Sequence, residues 1–220
     1  MSVSGLCRST YYTAPTLAER KLAIDDNRRR LDDAAVLTPP VICRWLAGTG
    51  AGKICTKRGT SKTRDSRVAA TFEDVGVPIA LEPLHPMTAA DRSCLCTLRQ
   101  ALDWCDELDP DGEFGLGVAV DVYHVWWDPD LASQILRAGN RILAFHVSDW
   151  LVPTTDLVND RGMPEMASSI FRQFVGWLKM LDLMALLNWK YSRRTGGRKI
   201  LTARWILASI ASRIIVKELL

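Results

Sequence analysis

The chain has 220 residues, 48% of them hydrophobic, and a formal net charge of +3. This length and composition are enough for a domain with a sizeable core, and they exclude a disordered tail. The sequence contains no run of about 18 charge-free apolar residues and no apolar run near its N-terminus. We therefore expect neither a membrane-spanning helix nor a signal peptide.

Six cysteines are spaced without the pattern of a disulfide framework, at positions 7, 43, 55, 94, 96 and 105. The C-x-C at 94–96 has no second pair, so it does not predict a zinc site. We expect reduced thiols and a cytoplasmic location.

The positive charge is concentrated in two stretches of the chain. Residues 41–67 have seven Lys or Arg against one acidic residue, and residues 164–220 have ten against three. Such stretches bind nucleic acids or membrane surfaces in some proteins. Because neither contains a known binding motif, we expect no nucleic-acid partner. Residues 205–220 have apolar side chains at helical spacing, which leaves open an amphipathic helix on a partner or, less favoured, on a membrane surface.

The first half of the chain predicts two helices around a buried strand. A helix is expected over 17–36, with an apolar face made by Leu17, Leu22, Ile24, Leu31 and Ala35. The apolar run over 75–83 predicts a buried strand. A second helix is expected over 88–108, capped by Thr88 or Asp91, with Leu95, Leu98, Leu102 and Cys105 on one face, followed by a turn over 109–115.

The pattern then continues with alternating strands and helices. Strands are expected over 116–124 and 141–150, with a helix over 128–139 that ends at Gly139 and a polar loop over 152–163. Continuous apolar strands alternating with helices are typical of a parallel sheet covered by helices, the α/β class. In a (β/α)8 barrel, the C-terminal ends of the strands form the active site.

All three histidines of the chain lie at the ends of these predicted strands: His85, His124 and His146. Each has a carboxylate three positions away, from Glu82, Asp121 and Asp149 respectively. Carboxylates and imidazoles at three strand ends predict a divalent-metal site. A donor set of this kind favours Mn²⁺, Mg²⁺ or Co²⁺ over a zinc site built from thiolates.

Several motifs resemble the sugar phosphate isomerase/epimerase family, whose fold is the xylose isomerase-like TIM barrel shared with endonuclease IV. They are E-P-L-H-P at 82–86, V-D-V-Y-H-V-W-W at 120–127, F-H-V-S-D-W at 145–150 and R-G-M at 161–163. The likeness covers about 1–40 and 68–163.

This resemblance implies roles for particular residues. Glu82, Asp121 and His146 would hold the metal with one further glutamate from the last strand, and His124 would contact the substrate. Glu82 and that glutamate would move a proton between adjacent carbons of a ketose through a cis-enediolate. We also expect His85, Trp126 and Trp127 to line the substrate pocket, although core packing is favoured for at least one of the two tryptophans. Asp149 would hold a metal ligand in position without binding the metal itself, or would anchor a loop.

The sequence departs from the family after Met163, where the family has G-D-G and later the strand with its last glutamate. Read one nucleotide earlier, the codons of Asn188 to Ser192 must encode x-L-E-[IV]-[FL]. We therefore hypothesise a reading-frame shift near 163–164. Within residues 41–67, reading frames other than the given one encode the peptides V-G-G-L and D-L-H-E-A-R. The reading-frame hypothesis therefore extends to this stretch. The first two βα units of an ordinary barrel of about 250 residues are expected to be absent.

These observations predict a partial (β/α)8 barrel over 1–163, atypical and basic over 41–67, with a basic helical tail over 164–220. The predicted function is metal-dependent isomerisation or epimerisation of a sugar or polyol derivative, impaired by the missing ligand. The alternative is an inactive binding or scaffold protein. A phosphodiesterase of the endonuclease IV type would need more than three histidines for its metals. We expect a small sugar as partner, and the sequence leaves a homo-oligomer open.

Overall fold

The computed structural model describes residues 5–7, 16–37, 39, 41–44, 76–89, 92–157, 160–162, 176–177, 180 and 187–189. The chain divides into two units, Met1–Ala144 and Phe145–Leu220, and the boundary falls within one strand. Asp91, the expected helix over 205–220 and most of the residues in the reading-frame hypotheses lie outside the described residues.

The first unit is built on a sheet of parallel strands. Its strands are β1 (Leu6–Cys7), β2 (Ile42–Arg44), β3 (Ile79–Leu81), β4 (Leu116–Asp121) and the first half of β5 (Ile142–Val147), arranged in that order. The pairs β1–β2, β2–β3 and β3–β4 are all parallel. The predicted α/β class with a parallel sheet is thus confirmed, as a partial barrel.

One face of this sheet is lined by small apolar side chains. A cluster of five buried residues runs across β2 to β5: Val41, Cys43, Ala80, Ala119 and Ala144. All six residues of β4 are buried, as expected for a parallel strand covered on both faces. Gly117 is required on this strand, because a Cβ there would lie 2.3 Å from the Arg141 carbonyl oxygen.

Helix α1 (Leu17–Leu37) forms where the sequence predicts it, but only Leu31 of the expected apolar face is buried. Its buried side chains are those of Ala23, Asn27, Leu31 and Ala34. Leu17 and Leu22, which were expected to be buried, are 81% and 65% exposed. Spacings of three and four residues fit more than one face of a helix, so the local pattern does not decide which face is buried.

Helix α2 (Leu98–Leu108) begins ten residues later than the sequence predicts. The Thr97 hydroxyl accepts a bond from the Gln100 amide at 3.2 Å, and the Gln100 side chain accepts one from the Thr97 amide at 3.1 Å. This capping box satisfies amides that have no partner within the helix, so the helix begins here and not at Thr88. Thr88 instead ends a short 3₁₀ turn, Pro86–Thr88.

The strand expected over 116–124 ends at Asp121, and the chain then turns into the short helix α3 (Val122–Val125). The Asp121 carboxylate accepts a bond from the Tyr123 amide at 3.1 Å, which is why the strand stops there. Helix α4 (Leu131–Ala138) then ends at Gly139 as predicted, with a φ of 45°.

Among its described residues, the second unit contains the end of β5 and three short strands. Strands β6 (Asp149–Trp150) and β7 (Arg161–Gly162) pair antiparallel within the segment that was expected to be a polar loop. Strand β8 (Leu187–Trp189) pairs parallel with β5, with Asn188 opposite His146. A strand therefore lies in the tail that was expected to be helical.

The cysteines differ in part from the expectation of six reduced thiols. Cys94 is disulfide-bonded, whereas Cys7, Cys43, Cys96 and Cys105 are thiols. A single disulfide has no local spacing pattern by which the sequence would show it. Among the described residues, no helix is both long enough and apolar enough to cross a membrane.

Candidate metal and substrate site

Two acidic side chains meet at the C-terminal ends of neighbouring strands in the first unit. Glu82 directly follows β3, and Asp121 is the last residue of β4. Both residues are 0% exposed, and a carboxylate oxygen of Glu82 lies within 4.8 Å of one of Asp121. Two buried carboxylates this close repel each other, so they need a bound cation, a proton or hydrogen-bond donors to be stable.

The separation of this pair fits a divalent ion. Oxygen ligands lie roughly 2.0–2.6 Å from Mg²⁺ or Ca²⁺, so two oxygens on one ion are at most about 4–5 Å apart. The donors are hard oxygens, the kind that Mg²⁺ and Mn²⁺ prefer. The residues present in this unit therefore fit the metal expected from the sequence.

His124 lies beside this pair in a defined tautomer. Its Nδ1 accepts a hydrogen bond from the backbone amide of His85 at 3.2 Å. Because an amide only donates, the neutral ring must carry its proton on Nε2. That nitrogen lies 3.9 Å from an Asp121 carboxylate oxygen. The ring therefore presents a hydrogen-bond donor on the side of the acidic pair.

His85 is held by the turn that follows β3. Its Nδ1 accepts a bond from the Met87 amide at 3.2 Å, which places the proton of the neutral ring on Nε2 as well. Burial lowers the pKa of His85, which favours the neutral form. The two imidazoles thus each offer a donating Nε2–H, a group suited to binding hydroxyl or carbonyl oxygens.

Trp127 joins the two histidines, a role that the sequence analysis did not assign. Its indole N–H donates to the His124 carbonyl oxygen at 2.8 Å, and its ring packs edge-on against His85 with centroids 6.0 Å apart. The only sequence signal is the three-residue spacing from His124, which is meaningful only because α3 is helical. Trp126, the other expected pocket residue, is 39% exposed.

The remaining two predicted site residues belong to the second unit. His146 lies on β5 and is 5% exposed. Asp149 begins β6, is also 5% exposed, and accepts a bond from the Trp150 amide at 2.9 Å. Both residues are therefore buried at or just beyond the C-terminal end of a parallel strand, as the sequence predicts.

A family model for the xylose isomerase-like TIM barrel matches residues 1–198. The matched range includes the basic segment at 41–67 and part of the tail. Both lie outside the motifs on which the resemblance in the sequence rests. A comparison with functionally curated proteins gives no significant match.

Solved structures with the same fold include one close in sequence. A protein from Sinorhizobium meliloti 1021 is 40% identical with a TM-score of 0.76, and the match covers 96% of this chain and 76% of that one. The IOLI protein with a binding zinc atom is 15% identical, with a TM-score of 0.68 and coverage of 88% and 68%. The 3-keto-D-glucoside 4-epimerase of E. coli is 15% identical, with a TM-score of 0.65 and coverage of 96% and 77%.

The two more distant structures show the fold alone. The family model covers most of the chain, and the protein from Sinorhizobium meliloti is 40% identical. The parallel strands of this chain agree with the fold of that family. The chain belongs to the xylose isomerase-like TIM barrel family.

Proposed function

We propose that this protein is a metal-dependent isomerase or epimerase of a sugar or polyol derivative, acting in the cytoplasm. The observation that carries the proposal is the buried pair of Glu82 and Asp121 beside the Nε2–H of His124. Several proteins of the same fold are sugar epimerases, including a D-allulose 3-epimerase from Methylomonas sp. solved with D-allulose and a D-psicose 3-epimerase solved with D-fructose.

In this proposal Glu82, Asp121 and His146 are the metal ligands. Side chains two positions apart on a strand lie on the same face. Ala80 and Ala119 belong to one buried cluster, and Glu82 and Asp121 follow them by two positions. Ala144 belongs to the same cluster, and His146 follows it by two positions on β5. Strand alternation thus places His146 on the same face of β5 as Ala144, which supports its assignment as the third ligand.

The chain's own residues would carry out the remaining steps. A divalent metal, when bound, would polarise the substrate's carbonyl oxygen. Glu82 would then take a proton from the carbon beside that carbonyl, as a general base. His124 and His85 would orient the sugar by donating hydrogen bonds from Nε2 to its oxygens. Trp126 would form one wall of the pocket. Asp149 would hold His146 in position without binding the metal itself.

We further propose that this chain is impaired in that reaction. Strand β8 lies parallel to β5, and its residues are Leu187, Asn188 and Trp189. The alternative reading frame gives leucine at 189 and glutamate at 190, and that glutamate would supply a second carboxylate for acid/base chemistry. A site that lacks this carboxylate loses one metal ligand and one proton-transfer group.

The test compares this chain with one expressed from DNA in which the frame near codon 163 is restored. Each protein is incubated in D₂O with Mn²⁺ and D-fructose, D-tagatose or D-allulose, and deuterium entering beside the carbonyl is followed by NMR. We expect exchange or epimerisation with the restored chain and a rate at least tenfold lower with this one.

Two outcomes would contradict the two parts of the proposal separately. Equal rates for both chains would show that this chain is not impaired. A folded restored chain that neither binds Mn²⁺ nor exchanges deuterium in any of these sugars would count against the isomerase function itself. Sequencing of the gene across codons 40–68 and 160–220 establishes whether the frame is as written.

A further inference from the structure

Two cysteines lie opposite each other on the first two strands. Cys7 of β1 and Cys43 of β2 are partners in the parallel register. Their sulfur atoms lie within 4.8 Å of each other, and neither residue is in a disulfide. They are 36 positions apart in the sequence, so only the pairing of β1 with β2 brings them together.

The two thiols differ in their access to solvent. Cys7 is exposed at the edge of the sheet, whereas Cys43 is 1% exposed and packs in the cluster with Ala80 and Ala119. An exposed thiol beside a buried one is the arrangement in which the first reacts with an oxidant and the second resolves the product. Neither residue has a role in the proposed sugar chemistry.

We propose that Cys7 and Cys43 form an oxidation site that takes a hydroperoxide and closes to a reversible disulfide. In the first step, the Cys7 sulfur attacks one peroxide oxygen; the O–O bond breaks, giving a sulfenic acid and water from hydrogen peroxide. In the second step, the Cys43 sulfur attacks the Cys7 sulfur. The S–S bond forms and the hydroxyl leaves as a second water, so both thiols are oxidised and the peroxide is reduced.

The geometry of the strands permits this bond. Neighbouring strands are about 4.7–4.9 Å apart, which lies within the roughly 4.4–6.8 Å between Cα atoms that disulfides span. Rotation about the two Cα–Cβ bonds would bring the sulfurs together without separating β1 from β2. Since β1 pairs with β2 alone among the described strands, the bond would attach this edge strand covalently to the sheet.

The experiment is peptide mapping of the intact chain after treatment with hydrogen peroxide. Trypsin releases Cys7 in the peptide 1–8 and Cys43 in the peptide 31–44. We expect these two peptides to appear joined, with the loss of two hydrogens, and to separate again on reduction with dithiothreitol. Cys105 serves as an internal control that should stay unmodified, because burial raises its pKa to about 12.

Two variants distinguish the reaction of Cys7 with Cys43 from reactions of the other cysteines. Cys96→Ser should still form the joined peptide, whereas Cys43→Ser should leave Cys7 to oxidise further to the sulfinic acid. Circular dichroism establishes that each variant is folded, and the wild-type map is decisive even if Cys43→Ser does not fold. Sulfinic acid on Cys7 in the wild type without the joined peptide would overturn the proposal, as would a link from Cys7 to another cysteine.

Discussion

The carboxylates of Glu82 and Asp121 lie within 4.8 Å of each other at the ends of adjacent parallel strands, and neither residue is exposed. Because they are on neighbouring strands, their separation follows from the register of β3 with β4, in which Leu81 is opposite Val118. Burying two negative charges this close together raises the free energy of the folded state unless a positive charge compensates them. The divalent cation proposed above would supply that charge.

Replacing either acid should weaken metal binding. We expect Glu82→Gln and Asp121→Asn each to raise the Kd for Mn²⁺ at least tenfold, because an amide oxygen lacks the charge that holds a hard cation. Isothermal titration calorimetry measures this directly. Glu113→Gln and Asp111→Asn, at exposed positions, are matched controls that should bind like the wild type. Unchanged affinity in both site variants would contradict the ligand assignment.

A divalent ion should also stabilise the fold. An ion that binds the native state adds about 2.7 kcal/mol at a concentration of 100 Kd, which raises the Tm by several degrees. We expect this rise with Mn²⁺ in the wild type and its loss in the double variant Glu82→Gln/Asp121→Asn. Differential scanning fluorimetry with and without a chelator measures the change. A rise of equal size in the double variant would mean that the ion binds elsewhere.

The loop between β6 and β7 should respond to acid. Asp160 accepts bonds from the Thr155 hydroxyl at 2.6 Å and from the Thr155 and Asp156 amides at 2.8 and 3.2 Å. These bonds lower the pKa of Asp160 below its ordinary value of 3.8. A lowered pKa means that the loop is stabilised above about pH 4 and loses this stabilisation as the pH falls through the folded value.

NMR titration of the Thr155 and Asp156 amides tests this expectation. We expect both resonances to shift with a midpoint below 3.8 in the wild type and to lose that transition in Asp160→Asn. Asp111→Asn, in an exposed turn, should leave it unchanged. A midpoint at or above the ordinary value would contradict the bonding seen at Asp160.

The start of helix α2 should depend on its cap. Thr97→Ala removes the hydroxyl that accepts the Gln100 amide, which typically costs about 1 kcal/mol of unfolding free energy. Thr97→Ser keeps the accepting oxygen, and because serine is at least as good an N-cap as threonine it should leave the stability nearly unchanged. Urea denaturation of both variants measures the difference. Equal stability of Thr97→Ala and the wild type would show that the cap contributes nothing here.

Trp127 should stabilise the turn that carries His124. Trp127→Phe keeps a ring against His85 but removes the indole donor to the His124 carbonyl, a loss of about 1 kcal/mol for one hydrogen bond. Trp126→Phe is the matched control at the neighbouring, partly exposed position. Urea denaturation is again the measurement. An equal loss in both variants would assign the effect to ring size and not to the hydrogen bond.

The sequence predicts the parts of the fold that depend on local patterns. The apolar runs identify β3, β4 and β5, because a strand buried on both faces needs apolar residues at every position. Glu82, Asp121 and His146 are candidate ligands for the same reason, since each interrupts or ends such a run. Gly139 likewise marks the end of α4, where the backbone adopts a positive φ.

Other features depend on residues that are distant in the sequence. Leu17 and Leu22 are exposed whereas Ala23 and Ala34 on the same helix are buried, which local spacing does not reveal. The tautomer of His124 depends on an amide 39 positions earlier, and the Cys7–Cys43 pair depends on strand register. The sequence by itself therefore determined which residues end strands and turn the chain. Only the tertiary structure decided which faces are buried and which side chains meet, because packing joins elements that local patterns describe one at a time.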